Sequence, residues 1–509
     1  MPTTNNNTQQ TLDVAIVGGG ITGLAAAAAL PSTCRWALFE SGSRLGGKVS
    51  TQHAHVAGVG DFLLETGPDC LLAAQAGTIL ALLQQLGLAN QLQGTTHSNL
   101  PVFVWHNNQA VALPQQTQLS IPTQLAALWR CPLLSLSGKL RLCIEPLLPK
   151  GRAVSDQHDE SVGHFLQRRL GQQTVDQLAE PLLGNIFQLH PNQQSLLATL
   201  PQLRRTVMQH GSLLLGMRAQ QRKSQESRES QKNQTSAEDC KQQKIANGQT
   251  APMPPQGFVT LRNGMGSWID AWRNALGLHR LHINSRVQAL QPLSSKDGYS
   301  LQTDAGQQYH CRCVLLTTPS QQTANMLQQL APPAAQQLHA LPSTSSASVY
   351  IAFANSQLNT AHTGLPPLLQ GAGLLIPHRQ ARMINAITCV SSKFAHRAPA
   401  GYTLLRAAVA GWRNPTLLQQ HNEQAICQQV LTDLQRLLNR RAKPVLTRLF
   451  AWRNSVPQHP VGHLQRVQQI TTSLPKGIFI AGSPYGSAGL PSCVAQGQQA
   501  AQQIESYLL

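Results

Sequence analysis

Gly18, Gly20 and Gly23 stand in G-x-G-x-x-G spacing within DVAIVGGGITGLAAAAAL. The first permits a tight turn, the second lets a diphosphate come close, and the third lets helix pack tightly on strand. The short run VAIV before them is largely β-branched, as buried parallel strands are. ITGLAAAAAL after them is a good helix former, and its N-terminus would face an anion. A second apolar run, WALFE, ends in Glu40, seventeen residues after Gly23. A carboxylate there can accept hydrogen bonds from both ribose hydroxyls of an adenosine. Strand, glycines, helix and acid in this order predict a dinucleotide site.

NAD and FAD share these features. The next stretch, ESGSRLGGKVST, separates them. Arg44 follows Glu40 and Ser41 closely, and Gly46 and Gly47 follow Arg44. Backbone N–H groups of two glycines can close on a diphosphate already held, with Arg44 adding positive charge. A nicotinamide site has no common need for this second clamp, so FAD is expected. The E-x-x-x-R-x-G-G pattern resembles the flavin-containing amine oxidase superfamily. LLETGPDCLL, with Gly67 and Pro68, resembles the segment of that superfamily that approaches the flavin. Near the other end, GIFIAGSPYGSAGLPSCVAQGQQAAQQI reads as strand, loose turn and helix, with Pro491 at the helix start. The resemblance places this piece against pyrophosphate and isoalloxazine, which assigns Gly482, Ala488, Gly489 and Leu490 to the cofactor. INSRVQAL resembles the strand whose Val287 lies by the adenine, and CRCVLLTTPS the middle return strand.

Further segments run in the order of one family. LSGKLRLCIEPLLP, DESVGHFLQRRLG, PLLGNIF, GFVTLRNGMGSWIDAW, GAGLLIP, SSKFAHRAP, PVGH and GLPSCVAQG resemble the oxygen-dependent protoporphyrinogen oxidases, over nearly the whole chain from about residue 13. The resemblance implies oxidation of protoporphyrinogen IX to protoporphyrin IX, with FAD accepting electrons from the macrocycle and molecular oxygen released as hydrogen peroxide. Coproporphyrinogen III oxidation to coproporphyrin III is the nearest alternative. A flavin-binding tetrapyrrole carrier or partner protein is a second, from a different class. The resemblance also puts Trp412 beside the flavin, and Leu375 and Val390 around the macrocycle. A dimer is common in the family.

Two positions depart from the family pattern. Val102 stands where many members carry an arginine able to pair with a substrate propionate, and Arg130 and Arg141 are candidate substitutes. Asn185 aligns with a glycine near the flavin, a position that faces the substrate pocket. No nucleophile–base set, metal-ligand spacing or paired carboxylates stand out, so no catalytic side chain and no metal is assigned.

The elements that must hold these residues follow from composition and pattern. The chain has 509 residues, enough for two or three domains, with 41% hydrophobic and 12% charged residues. Its formal charge of +18, from 39 basic and 21 acidic residues, suits an anionic partner. The basic residues are dispersed and form no nucleic-acid motif, so nucleic acid is not expected. No apolar run reaches the roughly 18 residues of a membrane span. The segment AALWRCPLLSLSGKLRLCIEPLLPK mixes leucine and Trp129 with basic residues, which fits either a helix or hairpin lying on a membrane surface or a buried helix with snorkelling bases, and the resemblance favours the membrane reading. The start has no secretory pattern, and the ten cysteines are scattered, with Cys311 and Cys313 read as strand positions rather than metal ligands. A reducing cytoplasm is expected, with peripheral attachment to the inner face of the cell membrane.

The fold class expected is α/β: a discontinuous FAD-binding Rossmann-like domain, an α+β substrate domain and a helical membrane-facing domain. The FAD domain is assigned 13–90, part of 258–320, and 440–509. The helical domain takes 91–205, which also serves substrate entry, and the substrate domain 321–439. Residues 1–12 are read as a disordered tail, and the polar, Gln-rich 219–256 as a disordered insertion.

Overall fold

The computed structural model describes residues 10–73, 77–97, 99–114, 117–150, 158–234, 257–293, 298–359, 365–380, 382–487 and 489–509. Two seven-stranded sheets carry the fold. In the first, Leu281–His282, Trp36–Phe39, Gln10–Val17 and Gln308–Leu316 lie parallel in that order. The second half of Gln308–Leu316 also pairs in parallel with Ile478–Ile480, and its first half pairs antiparallel with Tyr299–Thr303. Strand Val287–Pro292 closes that edge. The sheet is thus assembled from both ends of the chain. Residues Val14, Ile16, Leu38, Cys313 and Leu315 share one core with the helices Ile21–Ala29, Gly266–Leu276 and Leu490–Leu508. Strands that are buried on both faces need the near-continuous apolar runs the sequence has here.

The second sheet has the order Leu446–Pro457, Ser343–Ala354, Tyr402–Ala410, Ala386–Cys389, Gly373–Leu375, Val102–His106, Gln109–Ala112. All pairs are antiparallel except Gly373–Leu375 with Val102–His106. Val349, Ile351, Leu405 and Ala407 point to one face, which helix Glu423–Leu438 seals with Ile426, Val430 and Leu434. The opposite face looks toward the first sheet and a helical layer. The hairpin Thr51–Val56 and Gly60–Glu65 packs Phe62 and Leu64 against Tyr350 and Leu404 of the second sheet.

The helical layer packs Leu128, Leu142, Phe165, Leu166, Leu178 and Leu183 into one core. Its centre is a buried ion pair, Arg169 with Glu145. The Glu145 carboxylate also accepts from the N–H groups of Leu213 (2.9 Å) and Leu214 (3.2 Å) and from the Ser212 hydroxyl. Every hydrogen-bonding site of the carboxylate is used, which is what lets a charge sit there. A π-helical turn, Val175–Ala179, precedes Pro181, whose missing N–H breaks the regular ladder, and the chain runs on as Glu180–Phe187.

Four boundaries differ from expectation. The first strand starts at Gln10, inside the segment read as a tail, because Leu12 faces a buried position beside Cys311. Strands Val102–His106 and Gln109–Ala112 belong to the second sheet, not the helical domain, since the alternation VFVW pairs beside Gly373–Leu375. Leu446–Pro457 also joins that sheet rather than the FAD domain, along a nearly complete antiparallel register with Ser343–Ala354. Helix Leu213–Gln234 extends into the stretch read as disordered. Its Gln, Arg, Lys and Glu residues are good helix formers. The rest of that stretch, 235–256, lies outside the described residues.

Candidate cofactor and substrate site

The first cradle is built as its spacing requires. A side chain at Gly23 would overlap the Gly18 carbonyl, so helix Ile21–Ala29 can start only on a glycine there. A Cβ at Gly20 would meet nothing within 4 Å. Gly20 caps that helix with no side chain closing the free N–H groups. The space in front of it is open, backed by the positive end of a helix dipole.

The second clamp docks directly on the first. Gly46 N–H donates to the Gly19 carbonyl (2.7 Å), and Gly20 and Gly46 form a parallel bridge. Gly47 lies 3.2 Å from Gly20 Cα when measured from its ideal Cβ position. The Arg44 guanidinium folds over the clamp, donating to the carbonyls of Leu45 (3.1 Å) and Gly47 (2.7 Å). Glu40 accepts from Gly19 N–H (2.8 Å) and Gly42 N–H (2.7 Å), with the Ser41 hydroxyl at 3.3 Å. Ser285 N–H donates to the Glu40 carbonyl (2.8 Å), which sets the buried Val287 at the ribose end of the cradle.

The chain's other end supplies a second uncapped helix N-terminus. Gly489 precedes Leu490–Leu508 without a side-chain cap, and among the described residues only Pro491 comes within 4 Å of its Cβ position. A Cβ at Gly497 would sit 3.0 Å from the Ala25 Cβ, so this helix lies tightly along Ile21–Ala29. Gly482 N–H donates to Gln496 (3.1 Å), which ties the loop to the helix. Leu490 is buried in the shared core. Ala488 lies outside the described residues. Two helix N-termini, a glycine clamp and a carboxylate at the adenosine end fit a dinucleotide diphosphate and its ribose.

Gly67 crosses the Lys48 backbone so closely that any Cβ would overlap the Lys48 carbonyl, and Pro68 follows it. Around this turn lies a buried charge cluster that the sequence reading did not single out. Glu65 accepts from Thr51 Oγ1 and Met265 N–H, each at 2.8 Å, and faces Arg397 at 3.9 Å. Burial pushes its carboxyl up to about 7, against the pull of Met265 and Arg397. Lys393 pairs with Asp69 at 3.2 Å. Burial would raise Asp69, but Lys393 and Arg406 hold it well below the usual carboxylate range. The Tyr350 hydroxyl donates to the Glu65 carbonyl (2.9 Å), and Trp452 donates to that of Thr66 (2.7 Å), locking the second sheet to this turn.

Trp412, expected beside the flavin, and the substrate candidates Asn185, Leu375 and Val390 divide between two edges. Trp412 donates to the Gly184 carbonyl (2.9 Å), and Asn185 donates to Pro181 (2.7 Å) and Asn385 (3.3 Å). Trp412 and Asn185 therefore meet where the helical layer touches the second sheet. Trp412 also lines a cavity of about 470 Å³ with His190, Thr344 and Gln458. Leu375 packs into the helical core with Val104, whereas Val390 packs with Phe62, Leu64 and Tyr350 at the hairpin. Neither candidate for replacing the missing cation at Val102 is free in the pocket. Arg141 is spent on the C-terminus of helix Val162–Leu170, bonded to the carbonyls of Arg169 (3.0 Å) and Arg168 (2.6 Å), and Arg130 is exposed.

The motif DESV has a mechanical role. Asp159 accepts from Ser195 Oγ (2.6 Å), Leu197 N–H (3.2 Å) and Gly462 N–H (2.9 Å). It thereby joins the helical layer to the PVGH loop. His459 beside that loop reaches the Ser483 carbonyl (2.9 Å), next to Gly482. No cluster of His, Cys, Asp or Glu able to hold a metal occurs among the described residues.

The sequence profile described as "Flavin containing amine oxidoreductase" matches residues 21–505. The chain is 30% identical to a coproporphyrinogen III oxidase of Bacillus subtilis (strain 168), over 97% of this chain and 98% of that one. It is 27% identical to the chloroplastic protoporphyrinogen oxidase of Oryza sativa subsp. japonica, over 97% and 88%. A crystal structure from Exiguobacterium sp. 255-15, provisionally named a protoporphyrinogen oxidase, superposes with a TM-score of 0.77 at 28% identity, covering 98% and 99%.

Proposed function

The chain belongs to the flavin containing amine oxidoreductase family and takes FAD as cofactor, and from that premise we propose that it oxidises a porphyrinogen to the porphyrin. Coproporphyrinogen III is the substrate we favour, because relatives of that name match at 27–30% identity over nearly the full length of this chain. Protoporphyrinogen IX is the second reading, supported by the plant relatives. The balance is porphyrinogen plus three O₂ giving porphyrin plus three H₂O₂. Bound FAD supplies acceptance of two electrons from the macrocycle at each round.

The observation that carries this reading is the second sheet's inner face. Ala386, Thr388, Arg406 and Ala408 sit mid-strand yet stay half-exposed, while Ile387, Leu405 and Ala407 on the other side are sealed. This face is therefore only partly covered, between the hairpin core at Val390 and the helical core at Leu375. The Gly67–Pro68 turn is tied to the same face by Tyr350 and Trp452. The protein's work is to hold cofactor and macrocycle against each other with little acid–base equipment.

We further propose peripheral attachment to an anionic membrane surface, in the cytoplasm. Leu136, Leu140, Ile144 and Leu147 are 64, 51, 46 and 84% exposed. Their spacing makes one stripe along a helical run, beside Trp129, Arg130 and Lys139. No helix among the described residues is long and apolar enough to cross a membrane. The test of the function is aerobic turnover of purified, FAD-loaded protein. Porphyrin fluorescence should rise well above the uncatalysed rate with coproporphyrinogen III. A rise only with protoporphyrinogen IX would favour the second reading, and no rise with either would overturn both.

A further inference from the structure

The register of the second sheet places Val102, Gly373, Thr388, Arg406 and Tyr350 in one cross-strand row. Cross-strand neighbours point to the same face. Arg406 therefore lies on the same face of the sheet as Val102, three strand spacings away, or about 14 Å. Its Nε donates to Ser348 Oγ at 2.9 Å, and its guanidinium stands 5.7 Å from the Tyr350 ring centroid.

Asp69 pairs with Lys393 at 3.2 Å and also feels Arg406, and Glu65 faces Arg397 at 3.9 Å, so two carboxylates stand among three cations. Arg406 forms no ion pair among the described residues, and its two terminal nitrogens have no acceptor there. A guanidinium offers five N–H donors in a planar fork that suits a carboxylate. With the carboxylates outnumbered, the free edge of the Arg406 fork on this partly covered face suits an anion from outside the chain.

We propose that Arg406 binds a carboxylate of the tetrapyrrole, supplying the cationic contact that Val102 does not. The inference rests on the porphyrinogen reading and deepens it: the substrate's acidic edge lies toward strand Tyr402–Ala410. Arg406 is a binding residue and takes no part in electron transfer.

The test uses FAD-loaded protein, with coproporphyrin III and its tetramethyl ester as probes in the same detergent. Binding is followed by quenching of tryptophan fluorescence. Arg406→Met should weaken binding of the free acid about 10–100-fold, the loss expected for one charge-assisted contact. The ester, which lacks the charge, should change less than about threefold. Arg406→Lys should recover part of the loss, and it also serves if the methionine variant fails to fold. Turnover of coproporphyrinogen III should show the change in KM, with kcat and FAD content kept. A variant that binds the acid as tightly as wild type, or loses acid and ester alike, overturns the proposal while leaving the function intact. Wild type that binds and oxidises no tetrapyrrole overturns the function itself, and this role with it.

Discussion

At Gly20 and Gly23 the same residue type does two different jobs. Gly23 is required by the protein's own packing, since any side chain there strikes the Gly18 carbonyl. Gly20 is required only by what comes from outside, since a Cβ there meets nothing within 4 Å. Gly20→Val should therefore leave the circular-dichroism spectrum and thermal midpoint near wild type while weakening FAD binding at least about tenfold. Gly23→Val should lower the midpoint as well. Calorimetric titration of apoprotein with FAD, beside thermal unfolding, separates the two. Equal FAD affinity in Gly20→Val would remove Gly20 from the cofactor site. The glycine spacing and Glu40 were legible in the sequence because local turn chemistry fixes them. Arg406 was not, since its partners Ser348 and Tyr350 come from another strand. Its one local signal is a lone charge inside the apolar alternation YTLLRAAVA.

Among the elements, strands and helices at the two ends of the chain were readable from their apolar runs. Sheet membership was harder, because it depends on pairings far apart in sequence. Leu446–Pro457 reads as a strand, but only its register with Ser343–Ala354 assigns it to the second sheet. The helical layer's motif DESV…RRLG was recognisable as a pattern, without its reason. The reason is now Asp159 bracing Gly462, Arg168 bidentate on Glu160 at 2.7 and 3.0 Å, and Arg169 on Glu145. Glu145→Ala strands Arg169 without an anion and should cost about 3–5 kcal/mol of stability, read by urea unfolding. A loss under 1 kcal/mol would mean water or a shift of Arg169 replaces the carboxylate. The exposed stripe makes a separate claim. Leu140→Glu with Leu147→Glu should abolish co-sedimentation with vesicles rich in anionic lipid and leave the unfolding midpoint within a few degrees, as surface changes do. Undiminished sedimentation would place the membrane contact elsewhere.

The whole molecule is held together by links between its layers, and one of them should weaken in acid. His463 is buried beside His459, with ring centroids 4.5 Å apart, at the loop that Asp159 braces. Burial first, then His459 and Arg466, hold its pKa down at about 3. A base with a lowered folded pKa contributes full stability above its unfolded value of about 6.5, and that contribution is lost as pH falls toward 3. The loss attributable to His463 reaches at most about 5 kcal/mol. His463→Leu should flatten the fall in unfolding free energy between pH 6.5 and 4, and an unchanged slope would assign the acid sensitivity to other groups. The central claim is larger: the glycine cradle and the half-open sheet face form one site in which a porphyrinogen meets bound flavin. Anaerobic mixing of FAD-loaded protein with coproporphyrinogen III, followed by absorbance, tests it most directly. Loss of the oxidised-flavin band together with a rising porphyrin band is the expected result. Flavin that stays oxidised under an excess of both coproporphyrinogen III and protoporphyrinogen IX would contradict it.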